Sequence, residues 1–269
     1  MYKVGFIGAG RMAGAMVRGI LAKKTFAPHD LVTVGGDDDT AVTLADKTGI
    51  HTVDSLFDLI REAEIIVLAF KPHHLESLDS QVSEISAGKC VLSILAGVPI
   101  QRIFHHFPSA SNIIRAMPNI PAAIGEGVTG YAGWKAIEGA DTRAVTHILE
   151  AMGPAIAVEE SQIDAVTGIS GSGVAFVFQF MKALRDGGIR QGLTEEKAYT
   201  FMLQTILGAA RLVDHSEQSL EALIDQVVTP GGTTAAGLAA LENHDFDEIV
   251  KAAVSAATQR SKELSQAHS

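Results

Sequence analysis

The residues Val4-Gly5-Phe6-Ile7-Gly8-Ala9-Gly10-Arg11-Met12-Ala13 decide the fold. An apolar run typical of a buried strand leads into Gly-x-Gly-x-x-Ala, and a helical pattern follows. In this context the motif predicts a dinucleotide-binding loop, because a helix N-terminus offers unpaired N–H groups to a pyrophosphate. Gly8 permits the tight turn, Gly10 lets the backbone approach the phosphates, and Ala13 lets the helix pack close to the strand. The expected cofactor contacts in this loop are Gly8, Ala9, Gly10, Arg11 and Met12.

Short apolar runs alternate with amphipathic stretches over about the first 155 residues. After the first strand, strands are predicted at 31–34, 65–70, 90–95 and 112–116, and helices at 12–22, 40–47, 74–85 and 100–106. Such alternation implies a mostly parallel sheet with helices on both faces. From residue 163 onward the pattern is helical, at about 163–187, 194–215, 219–228, 232–243 and 246–265. The predicted fold class is α/β, with a Rossmann-type, mostly parallel sheet domain (1–158) followed by an all-helical dimerisation domain (159–269).

The helical half predicts a homodimer or an assembly of dimers. One of its helices carries an apolar face that includes small side chains, which allow another helix to approach closely. They are Ile206, Leu207, Ala209, Ala210 and Val213. The alternative is a self-contained helical bundle.

Charge and composition exclude several classes of function. A formal net charge of −10 argues against a nucleic-acid partner and against binding to an anionic membrane surface. The single cysteine, Cys90, lies in an apolar run and is expected in a buried strand, and no Cys/His spacing predicts a metal site. No signal peptide pattern precedes the first strand, and the uncharged run at 165–181 is interpreted as a buried helix. A cytoplasmic location is therefore expected.

Cofactor choice depends on the end of the second strand. NAD-specific sites place an acid there for the ribose hydroxyls, and NADP-specific sites place a cation or hydroxyl for the 2′-phosphate. Here Val34 is followed by Gly35-Gly36-Asp37-Asp38-Asp39, with no arginine or lysine nearby. The aspartates either contact the ribose or cap the helix that begins near Thr40. Both NADPH and NADH remain open.

Six segments carry a resemblance to a known family: 6–13, Ala69-Phe70-Lys71-Pro72, Leu95-Ala96-Gly97-Val98, Arg115-Ala116-Met117-Pro118-Asn119, Ser170-Gly171-Ser172-Gly173 and Thr229-Pro230-Gly231-Gly232-Thr233-Thr234. The chain resembles pyrroline-5-carboxylate reductase along nearly its whole length. The resemblance implies the last step of proline synthesis, in which NADPH or NADH reduces 1-pyrroline-5-carboxylate to L-proline. Hydride would pass from C4 of the nicotinamide to the imine carbon of the ring, which becomes C5 of proline.

The resemblance also implies residue roles. Thr234 is expected to donate a proton or a hydrogen bond to the imine nitrogen, and the helix start after Pro230 is expected to hold the substrate carboxylate. The expected substrate-binding residues are Met117, Glu160, Gln226, Gly231, Gly232, Thr233 and Thr234. The further expected cofactor-binding residues are Gly35, Gly36, Phe70, Lys71, Pro72, Ala96, Gly97 and Asn119. The alternatives are that Thr233 or Thr234 only caps the helix and that Lys71 is a solvated rim lysine.

Some positions depart from the family pattern. Val174 and Phe176 stand where proline and tyrosine are usual, and Gln226 stands where asparagine is frequent. Gly35-Gly36 replaces the residues that usually bind the 2′-phosphate, a loss for which Arg11 is the candidate compensation. One rival function is a β-hydroxyacid dehydrogenase, but Val177 stands where that class has its catalytic lysine. The other is a non-catalytic NAD(P)-binding sensor, which has no need of the Pro-Gly-Gly-Thr-Thr segment.

Overall fold

A computed structural model of the chain describes residues 1–36, 38–136 and 140–267, so that Asp37 of the aspartate run lies outside the described residues. The described residues divide into two compact units. The first comprises Met1–Gly171 and Ala256–Ser269, and the second comprises Ser172–Ser255. The first unit thus extends beyond residue 158 and includes the last turns of the C-terminal helix.

The first unit contains an eight-stranded sheet. Its strands are β1 (Tyr2–Ile7), β2 (Leu31–Val34), β3 (His51–Thr52), β4 (Ala63–Leu68), β5 (Cys90–Ser93), β6 (Asn112–Met117), β7 (Thr129–Gly133) and β8 (Ala155–Ala157). Its helices are α1 (Arg11–Ala22), α2 (Thr40–Thr48), α3 (Leu56–Glu62), α4 (Gln81–Ile85), α5 (Ile100–His106), α6 (Ala140–Glu150) and α7 (Ile163–Val166). The remaining helices are α8 (Gly173–Arg190), α9 (Glu195–Asp214), α10 (Leu220–Val227), α11 (Thr233–Glu242) and α12 (Phe246–Ala267).

The sheet order is β3-β2-β1-β4-β5-β6-β7-β8, and every neighbouring pair is parallel except the antiparallel pair β6 and β7. The prediction of a mostly parallel sheet is confirmed. The chain runs outward from β1 to β2 in one direction and returns to β4 on its other side. The loops after β1 and β4 therefore diverge and leave a crevice at their carboxyl ends, which is where doubly wound sheets bind ligands.

Both faces of the sheet are buried by helices, so each long strand is a nearly continuous apolar run. Val4 and Phe6 point into a core with α1 and α6, while Ile7 joins a second core with α3 and α5. Cys90 is buried in β5, as expected.

Two predicted helices are wrong in detail. The pattern at 74–85 forms a 3₁₀ segment, Pro72–Ser77, and the short α4, because Asp79 Oδ1 accepts the N–H of Gln81 at 2.8 Å and starts a new helix there. The pattern at 163–187 is divided into α7, a π-helical turn at Thr167–Gly171 and α8.

The expectation that the run at 165–181 is buried is also wrong. Among the described residues, one helical stretch, Glu160–Arg190, is long and apolar enough to cross a membrane by length and composition, and only 11% of its apolar window is buried. Phe178 is 60% exposed. The physical reason is that this helix finds too little apolar surface within its own chain to cover it.

Candidate active site

The β1–α1 loop begins with a residue that only glycine suits. Gly8 has φ +103°, and its N–H donates to Val34 O at 2.9 Å. A Cβ on Gly8 would stand 2.8 Å from the carbonyl carbon and oxygen of Ala69. The loop therefore passes directly over the end of β4, and any side chain here would push the two segments apart.

The next residues form an open cradle for an anion. Gly10 is the N-cap of α1 and makes no side-chain cap, so the N–H groups of the first turn have no side-chain acceptor. A Cβ on Gly10 would meet nothing within 4 Å, so this side of the loop faces open space. The loop thus fits the pyrophosphate of a dinucleotide, with Arg11 exposed and Met12 half-buried beside it.

At the end of β2, one aspartate caps a helix. Asp38 Oδ1 accepts hydrogen bonds from Thr40 N at 3.0 Å and from the Thr40 hydroxyl. These bonds hold the pKa of Asp38 below its usual value, the hydroxyl contributing most. The capping alternative is confirmed for Asp38, whereas Asp39 occupies the N-cap position of α2 without a side-chain bond.

The two glycines that precede this cap differ in the space around them. A Cβ on Gly35 would stand 2.9 Å from Ala41 Cβ, whereas a Cβ on Gly36 would meet nothing within 4 Å. Gly36 therefore leaves open space beside the loop that Gly35 does not.

The loops after β4 and β5 differ in exposure. Phe70 and Pro72 are half-buried and Lys71 is exposed at the start of a 3₁₀ segment. Ala96 is exposed, but Gly97 is buried, and a Cβ on it would lie 3.2 Å from Leu264 Cβ in α12. The open position after β5 is thus Ala96, because the C-terminal helix covers Gly97.

The segment after β6 is held by a buried amide. Asn119 donates from Nδ2 to Ser170 O at 3.3 Å and accepts the N–H of Val128 at Oδ1 at 3.0 Å. Met117 is half-buried, and its terminal methyl lies 3.1 Å from where a Cβ on Gly171 would stand. Asn119 therefore joins the segment after β6 to the segments at Val128 and Ser170, and these segments form one wall of the candidate site. Met117 packs against the same wall.

A buried cation that sequence analysis missed lies below this wall. Arg115 points inward from β6 with 5% of its side chain exposed. Its guanidinium lies 3.4 Å from Glu160 Oε1 and 3.6 Å from Asp164 Oδ1. The available signal was a lone charge inside the apolar run Ile113-Ile114-Arg115-Ala116.

The two carboxylates hold neighbouring segments in turn. Glu160 Oε1 accepts the N–H of Ile100 at 2.7 Å at the start of α5, and Asp164 Oδ1 accepts the hydroxyl of Ser261 at 2.7 Å. One cluster, in which Arg115 and Asp164 are largely buried and Glu160 is partly exposed, therefore joins the β5–α5 loop, the segment 160–166 and the end of α12.

In the second unit, Thr229–Gly232 forms a tight turn before α11. Gly231 has φ +71°, and Gly232 N donates to Thr229 O at 2.9 Å. A Cβ on Gly232 would collide with the Thr229 hydroxyl at 2.2 Å. The N-cap of α11 is Gly232 and carries no side-chain cap, so the alternative that Thr233 or Thr234 caps this helix is wrong.

The remaining predicted residues of this unit lie around the same turn. Thr233 is exposed, whereas Thr234 is half-buried and lines an apolar groove of about 310 Å³. The groove's other walls include Leu220, Ile224 and Leu238. Gln226 is exposed and donates from its amide to Gln218 Oε1. Thr234 thus places a hydroxyl at the edge of an apolar surface beside an uncapped helix start.

Sequence models of two known families match the chain. The model described as pyrroline-5-carboxylate reductase dimerisation matches residues 160–264, and the model described as NADP oxidoreductase coenzyme F420-dependent matches residues 3–97. The dimerisation match begins at residue 160, close to residue 163, where the helical pattern of the sequence begins.

Full-length relatives and solved structures agree with these matches. The chain is 37% identical to pyrroline-5-carboxylate reductase of Methanosarcina acetivorans over 97% of each chain. It is 39% identical to that of Synechocystis sp. over 97% of this chain and 98% of the relative. The structure of a pyrroline-5-carboxylate reductase from Coxiella burnetii superposes with a TM-score of 0.91 at 34% identity, with 98% of both chains covered. The Plasmodium falciparum pyrroline carboxylate reductase with NADP bound superposes with a TM-score of 0.86 at 32% identity, again with 98% of both chains covered.

Proposed function

The chain belongs to the pyrroline-5-carboxylate reductase family. We propose which of its residues form the site that reduces 1-pyrroline-5-carboxylate to L-proline with NADPH or NADH. The observation that carries the proposal is the β1–α1 loop, where an uncapped helix start follows a glycine that no larger residue replaces without a clash. When bound, the nicotinamide supplies the hydride. The residues of the chain bind and orient both reactants, and they oppose the build-up of negative charge on the imine nitrogen.

We assign the cofactor to the carboxyl edge of the sheet. The pyrophosphate is assigned to Gly8, Ala9, Gly10, Arg11 and Met12, and the adenine ribose to Gly35 and Gly36. The nicotinamide and its ribose are assigned to Phe70, Lys71, Pro72, Ala96, Gly97 and Asn119. The support is positional, because these residues follow β1, β2, β4, β5 and β6, and ligands of doubly wound sheets bind beyond these strand ends.

The substrate carboxylate is assigned to Gly231, Gly232 and Thr233 at the start of α11. The helix has ten residues, and its N-cap residue, Gly232, makes no side-chain cap. These N–H groups and the positive end of the helix dipole favour an anion. The segment therefore binds a carboxylate without an arginine.

Thr234 is assigned to the imine nitrogen. During reduction the C=N bond gains a hydride at its carbon, which becomes C5 of proline, and a proton at nitrogen, so the imine becomes the secondary amine of proline. A hydroxyl that donates to this nitrogen opposes the build-up of negative charge on it. The half-buried position of Thr234 beside an apolar groove supports this role, since a hydrogen bond is stronger where water is scarce.

The other predicted substrate residues have different support. Met117 lines the wall after β6 and is assigned to the substrate pocket. Glu160 is engaged by Ile100 N and Arg115, so we assign it to positioning of the β5–α5 loop. Gln226 lies in α10, the helix that precedes the 229–234 turn, and its assignment to the substrate site rests on the family resemblance.

The domain division and the oligomer are part of the proposal. The chain carries a dimerisation domain, and we propose a dinucleotide-binding domain at 1–158 and a helical substrate-binding and dimerisation domain at 159–269. The match of the dimerisation family at 160–264 supports this boundary. The exposed apolar side chains of the second unit support a homodimer, or an assembly of such dimers.

Steady-state kinetics test the proposed function. Purified protein with 1-pyrroline-5-carboxylate is expected to consume NADPH or NADH, as followed by loss of nicotinamide absorbance, and to release an equal amount of L-proline. A β-hydroxyacid such as 3-hydroxyisobutyrate with NADP⁺ or NAD⁺ serves as the control substrate, and no turnover is expected. Absence of turnover of the imine with both cofactors overturns the proposal.

A further inference from the structure

A groove runs along the outer side of the glycine loop, between α1 and α2. Its volume is about 720 Å³, and it begins at Ala9 and Gly10. Three cations line it: Arg11 at the start of α1, Arg18 two turns later, and Lys47 in the last turn of α2. Thr40 and Thr43 line the α2 side.

The Arg18 side chain turns back toward the glycine loop. Its Nη1 lies 3.1 Å from where a Cβ on Gly14 would stand, and Leu44 Cδ1 lies 3.7 Å from the same point. Long side chains on a helix lean toward its N-terminus, so the guanidinium lies one turn closer to Arg11 than its backbone does. The absence of a side chain at Gly14 leaves the space that the guanidinium occupies.

The charge of this groove contrasts with the rest of the chain. The formal net charge is −10, yet among the described residues that line the groove three cations face one carboxylate, Asp39. Within the described part of the chain, none of the three cations forms an ion pair, while other surface cations such as Lys3 and Lys251 do. The neighbouring carboxylate of Asp38 is already bonded to Thr40. The groove therefore attracts an anion.

We propose that Arg11, Arg18 and Lys47 form the subsite for the 2′-phosphate of NADPH, and that the chain prefers NADPH to NADH through them. The inference rests on the proposed function, which puts the adenine ribose beside this groove. NADPH differs from NADH by one phosphomonoester, which carries close to two negative charges at neutral pH. Arginine suits such a group because its guanidinium donates two parallel hydrogen bonds to phosphate oxygens.

This subsite explains how the chain does without a cation after β2. Gly35 and Gly36 supply no side chain, and the cations come instead from the facing helices α1 and α2. Arg11 is close enough to the loop to serve the pyrophosphate as well. Arg18 and Lys47 are therefore the residues that distinguish the two cofactors.

Direct binding tests the inference without turnover. Titration calorimetry of the full chain with adenosine 2′,5′-bisphosphate and with AMP separates the contribution of the 2′-phosphate. We expect the bisphosphate to bind at least about tenfold more tightly than AMP, the scale of one charge-assisted hydrogen bond. Arg18→Met and Lys47→Met should each weaken the bisphosphate by about tenfold and change AMP by less than about twofold. Lys23→Met, at the exposed end of α1 and outside the groove, is the matched control and should change neither ligand.

Two results overturn the inference: equal affinity of the wild type for the two ligands, or bisphosphate affinity unchanged in both variants. Lys47→Glu adds a check on charge and should weaken the bisphosphate more than Lys47→Met does. NADH turnover with 1-pyrroline-5-carboxylate is measured in parallel. Turnover without 2′-phosphate selectivity overturns only the inference, whereas selectivity without turnover overturns only the proposed function.

Discussion

At the residue scale, the proposed chemistry depends on the hydroxyl of Thr234. The structure excludes a capping role, because the N-cap of α11 is Gly232 and no side chain caps the helix. The Thr234 hydroxyl is thus placed at a helix start without serving the helix. A hydroxyl in this position is available for a ligand.

Replacement of Thr234 by valine removes the hydroxyl and keeps the shape. We expect kcat to fall by about 100-fold, the scale of a hydrogen bond to developing charge, with the melting temperature nearly unchanged. Thr234→Ser should restore most of the activity. Thr200→Val, which removes an exposed hydroxyl that bonds Glu196 O on α9, is the control. A kcat within twofold of wild type in Thr234→Val removes Thr234 from the mechanism.

A second residue-scale prediction concerns the loop after β2. An arginine at Gly36 enters open space beside the proposed ribose site, whereas one at Gly35 would press against Ala41. Gly36→Arg should raise the ratio of kcat/KM for NADPH to that for NADH by about tenfold. Gly36→Gln adds comparable bulk without charge and should leave the ratio near that of wild type. An unchanged ratio in Gly36→Arg shows that this loop does not face the 2′-position.

At the element scale, Arg115 links segments that are distant in sequence. It compensates Glu160 and Asp164, which hold the start of α5 and the end of α12. The cluster is largely buried, so its charges depend on one another. Leu264 of the same helix covers Gly97, which ties the C-terminal segment to the loop after β5.

Arg115→Met leaves two carboxylates without their cation. We expect the free energy of unfolding to fall by about 3 kcal/mol, since an uncompensated buried charge is costly. Urea denaturation measures this change. Arg61→Met removes one side of an exposed pair with Asp58 and should cost less than about 1 kcal/mol. Equal losses of unfolding free energy in the two variants contradict the view that the Arg115 cluster stabilises the unit more than an exposed ion pair does.

The sequence patterns predicted the buried apolar strands, but they did not predict β3, β7, β8, α3 or α6. β1, β2, β4, β5 and β6 are apolar runs because both faces of the sheet are covered. β3 and β8 have two and three residues, too few to show a period, and β7 contains two glycines. The break at Asp79 depends on a local hydrogen bond that hydrophobic periodicity does not register.

The parts of the candidate site that lie in one continuous segment could be predicted from the sequence. The parts that bring together residues from distant segments could not. The glycine loop and the 229–234 turn are each continuous in sequence, and both have the geometry expected of them. Arg18 and Lys47 line one groove from two different helices, and Arg115 meets carboxylates far along the chain. Such pairings follow from packing, which a single sequence does not specify.

At the scale of the whole molecule, the second unit exposes large apolar side chains that its own chain does not bury. Phe178, Phe201 and Leu212 are each more than half exposed. Isolated soluble chains seldom leave so many large apolar groups in water. The match to the dimerisation model agrees with the proposal that a partner subunit covers this surface.

A charge on this surface should disrupt the dimer. We expect Leu212→Arg to shift the protein toward monomer in sedimentation velocity at micromolar concentration, because burial of an unpaired guanidinium is unfavourable. Val42→Arg, at a comparably exposed apolar position on α2, is the control and should sediment as wild type. A Leu212→Arg variant that sediments as the wild-type dimer shows that this part of α9 lies outside the interface.

The central claim, that the chain transfers a hydride to the cyclic imine, is tested most directly by isotope transfer. Turnover of 1-pyrroline-5-carboxylate with NADPH deuterated at the transferred C4 position should yield L-proline with one deuterium, located at C5. The amount of labelled proline should equal the amount of cofactor oxidised. Proline without deuterium, or cofactor oxidation without proline, contradicts the account.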